Sequence, residues 1–197
     1  MKTTMTETFD IINRGTWRTQ MANWKISYDF MMDNEDAARA YAVVPDAPPG
    51  AHAISGINSA AFPGEFEAIA ALAQNERALA VEQFYERNFW KVWYAQLTSD
   101  EVAKRVFDAA VNAGSVAAVK CLQEAVNFDC EYHMCPHAQI LVDGCWGPVT
   151  VEAANNCDPV DLVSAFQQAR VAHYKAIVAA NPADAVYLAA WAARAER

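Results

Sequence analysis

The sequence predicts a mainly α-helical single domain with one small irregular or β-hairpin insertion near residues 41–57. Apolar residues recur at three-to-four spacing along most of the chain, which is typical of amphipathic helices. Glycine, proline and asparagine interrupt that pattern at intervals that suit helix joints. The chain has 197 residues, which is the length of about one domain, and no repeat or linker divides it.

The first apolar stripe predicts a helix that ends near Asn34. Its members lie on one face: Trp17, Met21, Trp24, Tyr28 and Met31. The helix would leave the carboxylate of Glu35 beside the core, and residues 1–16 would form an extension. A carboxylate with one apolar side is suited to general acid catalysis near neutral pH, although a solvated helix-end glutamate fits the local sequence equally well.

Residues 41–50 lose the helical period, and their prolines and glycine force an irregular path before residues 54–58. Further helices are predicted from residue 65, from 76 to 90, from a capping box at 98–101, and from Ser115. The pairs at 158–159 and 181–182, Asp-Pro and Asn-Pro, each predict the start of another helix. Residues 128–149 are the least helical part of this half, with a turn at 143–144.

Composition excludes several classes of protein. Hydrophobic residues make up 54% and charged residues 20%, which disfavours disorder. The net charge of −9 disfavours a nucleic-acid partner, and no apolar run approaches the roughly 20 residues that span a bilayer. No signal peptide is visible, so we expect synthesis in the cytoplasm. The five cysteines are an odd number and do not indicate a complete disulfide framework.

Four landmarks occur in order in the second half of the chain. They are residues 84–90 (FYERNFW), 106–114 (VFDAAVNAG), 122–123 (LQ) and 143–150 (DGCWGPVT). Residues 191–194 (WAAR) follow near the C-terminus. With this order and spacing, the sequence resembles the muramidases of glycoside hydrolase family 108, the secretion-activator and phage-endolysin type.

The resemblance implies a lysozyme-like fold, with a catalytic-glutamate half at 17–83 and a peptidoglycan-binding-like helical half at 84–197. It implies a peptidoglycan hydrolase that needs no cofactor and cleaves the β-1,4 bond between N-acetylmuramic acid and N-acetylglucosamine. Its partners would be peptidoglycan glycan strands. The enzyme would act on the cell wall or in the periplasm after release or export, delivered by a holin or a secretion system.

Glu35 matches the catalytic glutamate of the family, and Asp46 occupies the place of the second carboxylate. A carboxyl separation of about 5 to 5.5 Å would imply retention of configuration, and roughly 6.5 to 9.5 Å would imply inversion. Asp46 before alanine and prolines is also an ordinary turn residue.

The sequence departs from the family pattern around Glu35. Asp36 and Ala37 replace two glycines, and Ala53 stands near the place of a threonine. We therefore consider a second function, a peptidoglycan-binding relative with impaired catalysis. The candidate substrate-binding residues, each with an ordinary structural role as the alternative, are His52, Ser55, Asn58, Trp90 and Asn112.

A separate cluster at residues 130–137 contains two thiols and two imidazoles: Cys130, His133, Cys135 and His137. Such a set can bind zinc tetrahedrally, but its spacing is not that of a standard zinc finger. An ordinary loop is the commoner outcome, so our main prediction contains no metal. A metal-stabilised interaction protein is the third function that we consider.

Overall fold

The computed structural model describes residues 21–90, 94–133 and 138–197. Its helices are α1 Trp24–Glu35, α2 Pro63–Ala70, α3 Arg77–Tyr85, α4 Asp100–Ala113, α5 Ser115–His133, α6 Pro148–Asn156, α7 Pro159–Ala180 and α8 Ala185–Ala195. Its strands are β1 Val43–Asp46, β2 Ala51–Ile54 and β3 Ile57–Asn58. The prediction of a mainly α, lysozyme-like fold with a small β insertion is confirmed. No helix of the described ranges combines the length and the apolar character needed to cross a membrane.

Helix α1 ends at Glu35, one residue later than the apolar stripe predicts. The side chain of Asn23 caps its start by accepting hydrogen bonds from the amides of Lys25 and Ile26. The inward face buries Tyr28, Met31 and Met32 completely or almost so. Met21 is 58% exposed and precedes the helix, so the predicted stripe is too long at its start, and Trp17 lies outside the described residues.

The insertion is a three-stranded antiparallel sheet in the order β1-β2-β3. Strand β1 pairs with β2 over Val43–Ile54 and Asp46–Ala51, and β2 pairs with β3 over Ile54–Ile57. The β2–β3 connection is a two-residue turn, Ser55-Gly56, and both residues have positive φ, +47° and +83°. Two-residue hairpin turns with this backbone match the twist of the strands. The β-hairpin expectation is confirmed, and β3 extends the sheet by one strand.

The core lies between α4, α5 and α7, with α1 packed across α4. Phe107 and Leu122 are fully buried at its centre. An aromatic group joins α1 to this core, because Trp24, Trp90 and Phe107 contact one another with ring centroids 5.4 to 5.5 Å apart. Helix α1 thus packs on the helical core through these rings.

The 143–150 landmark is a loop that a buried glutamine organises. The Gln123 side-chain amide donates to Asp143 Oδ1 at 2.8 Å and to Thr150 Oγ1 at 3.1 Å, and its carbonyl accepts from the Gly144 amide at 2.9 Å. Gln123 is only 2% exposed, so these bonds satisfy a polar group that would otherwise be costly to bury. The LQ and DG landmarks therefore specify one structural unit.

The predicted capping residues are present at the starts of α4, α7 and the segment before α8, and some of these helices start a few residues later than predicted. Asp158 caps α7 by accepting from the amides of Val160 and Asp161. Asn181 begins a short 3-10 turn, Pro182–Asp184, and α8 starts only at Ala185. The cap of α4 is Ser99, one residue after the start of the predicted capping box.

Candidate active site

Glu35 lies where the end of α1 meets the hairpin and the last helix. Its side chain is 16% exposed, and its Oε1 accepts a hydrogen bond from Arg194 Nη2 of α8 at 2.6 Å. The carboxylate is thus mostly buried and still reaches the surface. A charge-assisted bond of this length fixes the position of one carboxylate oxygen.

The other carboxylate oxygen lies against the β2–β3 turn. A Cβ atom built on Gly56 would stand 2.4 Å from Glu35 Oε2 and 2.7 Å from the hydroxyl of Tyr85. No side chain fits there, and the positive φ of Gly56 also favours glycine. The turn therefore approaches Glu35 as closely as it does because this residue has no side chain.

Tyr85 forms the floor of this contact. Its hydroxyl donates to the Ser55 carbonyl at 2.7 Å, and the side chain is 1% exposed. Burial first, and then the negative charge of Glu35, raise the pKa of Tyr85 well above its ordinary value. The phenol therefore stays protonated and keeps the hairpin turn in place beside Glu35.

Behind Glu35 lies a chain of alternating buried charges. Arg194 donates through Nη2 to Asp108 Oδ1 at 2.7 Å and through Nε to both oxygens at 3.1 and 3.2 Å. On its far side, Asp108 Oδ2 pairs with Arg170 Nη1 at 2.7 Å. Asp108 is fully buried and Arg170 is 2% exposed. Two carboxyl groups and two guanidiniums thus alternate from Glu35 to Arg170.

The protonation of Arg194 follows from these neighbours. Burial alone would lower the pKa of its guanidinium, but the carboxylates of Asp108 and Glu35 outweigh burial and raise it. Arg194 is therefore a permanent cation beside Glu35.

Asp36 and Ser55 connect the end of α1 to the sheet. The Ser55 hydroxyl donates to Asp36 Oδ2 at 2.7 Å, and the amides of Ala40 and Tyr41 donate to the same carboxylate at 3.0 and 2.8 Å. Burial favours a higher pKa for Asp36, but these hydrogen bonds and the nearby Arg39 outweigh burial and lower it. The hydroxyl of Ser55 is thus engaged in holding the loop.

Asp46 and Asn58 face each other on the exposed side of the sheet. The Asn58 amide donates to Asp46 Oδ2 and to the Ala47 carbonyl, both at 2.7 Å, and its carbonyl accepts from the Ala60 amide. The second carboxylate is exposed, and Asn58 of β3, on the other side of β2, holds it. His52 is also exposed, on β2, and its backbone amide donates to Ser59 Oγ.

Trp90 and Asn112 contact residues of the helices. Trp90 is 7% exposed and packs in the aromatic group of the core, which leaves its ring no free face for a sugar. Asn112 is half-buried near the end of α4, and its side-chain oxygen accepts a hydrogen bond from the Tyr174 hydroxyl. It lines a groove of about 430 Å³ that Arg194 and Trp191 also line.

The proposed metal cluster lies mostly outside the described residues. Cys130 is on α5 and is partly buried, whereas Cys135 and His137 and the side chain of His133 are not described. In the part of the chain that the structure describes, no group of three or more histidine, cysteine, aspartate or glutamate side chains is placed to hold a metal ion.

Two residues that hold Glu35 carry a signal in the sequence. Asp108 interrupts the apolar run VFDAAV of α4, and a charged residue on a buried helix face requires a partner. Arg194 ends the WAAR landmark in an alanine-rich helix. The pairing of the two could have been guessed from these features, but their contact with Glu35 depends on the tertiary fold.

Two family models and one solved structure are similar to this chain. Residues 31–114 match the model of Glycosyl hydrolase 108, and residues 117–196 match the model of a Predicted Peptidoglycan domain. Among solved structures, SagA of Brucella abortus is similar, with a TM-score of 0.54 and 21% identity, over 87% of this chain and 92% of that one. At this identity the likeness shows a shared fold. Among curated proteins, none matches this sequence.

Proposed function

We propose that the chain is a member of the glycosyl hydrolase 108 family and an N-acetylmuramidase in which Glu35 is the general acid. The match of residues 31–114 supports a glycoside hydrolase, and the peptidoglycan-domain match supports peptidoglycan as its substrate. The proposed reaction cleaves the β-1,4 bond between N-acetylmuramic acid and N-acetylglucosamine.

The observation that carries the proposal is the way in which Glu35 is held. One carboxylate oxygen is bonded to Arg194, the other lies against Gly56, and 16% of the side chain remains exposed. A general acid must stand within hydrogen-bond reach of the oxygen that it protonates, in a fixed orientation. Glu35 combines a fixed position with access from the surface.

In the proposed reaction, Glu35 protonates the glycosidic oxygen as the bond breaks. Asp46 is the second carboxylate, and its role is to activate water or to stabilise the positive charge that develops on the sugar ring. Asn58 orients Asp46 through the 2.7 Å bond to Oδ2, and the other oxygen accepts from the Ala47 amide. His52, exposed on the neighbouring strand, is proposed to contact the glycan.

The place of action is also a proposal. We propose that the enzyme is made in the cytoplasm and reaches the wall or periplasm through a holin or a secretion system. The substrate is a glycan strand, so neither a nucleic acid nor a membrane is needed as a partner.

A turbidity assay on purified peptidoglycan tests the activity, with mass spectrometry of the soluble products to identify the bond. We expect wild type to clear the suspension and to release fragments with muramic acid at the reducing end. Glu35→Gln should remove this activity, because it keeps the shape of the side chain without the acidic proton. Glu152→Gln, at an exposed position of α6, is the matched control and should behave as wild type.

A wall-binding protein without hydrolysis is the second candidate function. The lack of a free hydroxyl near the place of the family threonine favours it. Ala53 has no hydroxyl, and the hydroxyl of Ser55 is hydrogen-bonded to Asp36. Sedimentation with peptidoglycan separates the two functions. Binding without clearing by wild type would support this candidate, and clearing by Glu35→Gln equal to wild type would contradict Glu35 as the acid.

A further inference from the structure

We propose that Arg194 is a positioning residue for Glu35, so that helix α8 completes the catalytic site. This inference rests on the proposed function. It connects two segments that match different family models, since Glu35 lies in residues 31–114 and Arg194 in residues 117–196. The peptidoglycan-domain segment then contributes to catalysis directly as well as to binding.

The geometry of Arg194 suits this role. Its Nη2 lies 2.6 Å from Glu35 Oε1 and 2.7 Å from Asp108 Oδ1, and its Nε contacts both oxygens of Asp108. A planar guanidinium bound through two nitrogens to one carboxylate cannot rotate freely. The Nη2 group that donates to Glu35 Oε1 is therefore held in one orientation.

Asp108, in turn, is held from three sides. Arg170 pairs with Oδ2 at 2.7 Å, Asn34 donates to Oδ1 at 3.0 Å, and Arg194 contacts both oxygens. The carboxylate is fully buried, so no water competes for it at this point. The position of Arg194 is thus fixed by the core of α4 and α7.

The Glu35 carboxyl is confined between two surfaces. Arg194 holds Oε1, and Gly56 stands so close to Oε2 that even a methyl group would not fit between them. If Arg194 were removed, Glu35 would keep the hairpin contact and lose the bond that fixes its orientation. A displacement of about 1 Å at a catalytic group is enough to lower the rate on the order of 100-fold.

The charged and titratable groups that face Glu35 come from three helices. Arg194 approaches from α8, Asp108 lies behind it on α4, and the Tyr85 hydroxyl approaches from α3. Tyr85 remains neutral over the working range of such an enzyme, and Arg194 remains charged. Replacing Arg194 by a neutral residue therefore removes the charged donor that holds Glu35 Oε1 and leaves Tyr85 in place.

The test compares Arg194→Met and Arg194→Lys in the full chain, with Arg87→Met at an exposed position as the matched control. Clearing of peptidoglycan is measured as a function of substrate concentration, so that kcat and KM are obtained separately. For Arg194→Met we expect kcat on the order of 100-fold below wild type with little change in KM. For Arg194→Lys, which keeps the charge without the planar fork, we expect an intermediate kcat. Arg87→Met should match wild type.

Circular dichroism and sedimentation with peptidoglycan establish that each variant is folded and binds the wall. A folded Arg194→Met protein with wild-type kcat, or with a loss confined to KM, would overturn the positioning role. If Arg194→Met does not fold, Arg194→Lys decides, and wild-type activity in that variant would overturn the inference. Absence of clearing by wild type would overturn the proposed function itself, which is a different result.

Discussion

Gly56→Ala is the substitution that tests the hairpin contact most directly. Its new Cβ would lie 2.4 Å from Glu35 Oε2, whereas ordinary van der Waals contact begins at 3.4 Å. The carboxylate must therefore retreat by about 1 Å, a displacement on the scale that costs roughly 100-fold in rate at a catalytic group. The movement also disturbs the 2.6 Å bond to Arg194.

The chain offers a matched control for the backbone part of this effect. Gly50, in the turn between β1 and β2, has φ of +91°, and a Cβ atom there would have nothing within 4 Å. Both substitutions carry the cost of a side chain at positive φ, about 1–2 kcal/mol. Gly56→Ala should lower the free energy of unfolding by a further 1.5–3 kcal/mol or so, the approximate contribution of a hydrogen bond to a charged group.

Urea denaturation of both variants and the turbidity assay give the comparison. We expect Gly50→Ala to keep most of the wild-type activity and Gly56→Ala to lose about 99% of it, by the displacement argument above. Equal losses of stability in the two variants would refute the steric contact. Activity of Gly56→Ala within a few-fold of wild type would refute the role of Glu35 position in catalysis.

Three further predictions concern other parts of the molecule. Asp108→Asn leaves two buried arginines without their shared anion, so we expect the free energy of unfolding, measured in urea, to fall by about 3–5 kcal/mol; a change below 1 kcal/mol would contradict this. The fold lowers the pKa of Asp36, so its ionised form stabilises the protein above the ordinary pKa of 3.8. This contribution is lost as the pH falls through the pKa of the folded state. The melting-temperature difference between wild type and Asp36→Asn should therefore shrink in acid and stay constant near neutrality. Burial raises the pKa of Cys121 to about 11. At pH 8, iodoacetamide should therefore label the exposed Cys145 far faster than Cys121 in the native protein, as measured by peptide mapping. Equal labelling rates at the two cysteines would contradict the burial of Cys121.

The fold could be predicted because its signals are local. Each signal determines the conformation of residues close to it in the sequence. Examples are the three-to-four apolar period, the Asp158 cap, and the prolines and glycine of the 41–57 insertion. The start of α1 was placed too early because apolar spacing continues before Asn23, whose capping side chain begins the helix. Spacing alone does not show where a helix finds its first cap.

The candidate site was less accessible from the sequence. Its glutamate was identified through distant landmarks, and its catalytic role stays a prediction. Asp36 was noted as the loss of a glycine, yet in the structure its carboxylate binds two amides and the Ser55 hydroxyl. The residues that hold Glu35 come from helices far along the chain, so no local pattern reveals them.

The ion pair between Glu35 and Arg194 has a consequence for the order of events during synthesis. The two residues are 159 positions apart, so the contact cannot form until nearly all of the described chain has left the ribosome. Contacts between distant residues carry a loop-closure cost and depend on earlier packing of the intervening elements. A partly synthesised chain that already contains α1 and the hairpin therefore lacks the bond that fixes the orientation of its glutamate. Under the proposed function, wall-cleaving capacity arises as the last helix docks.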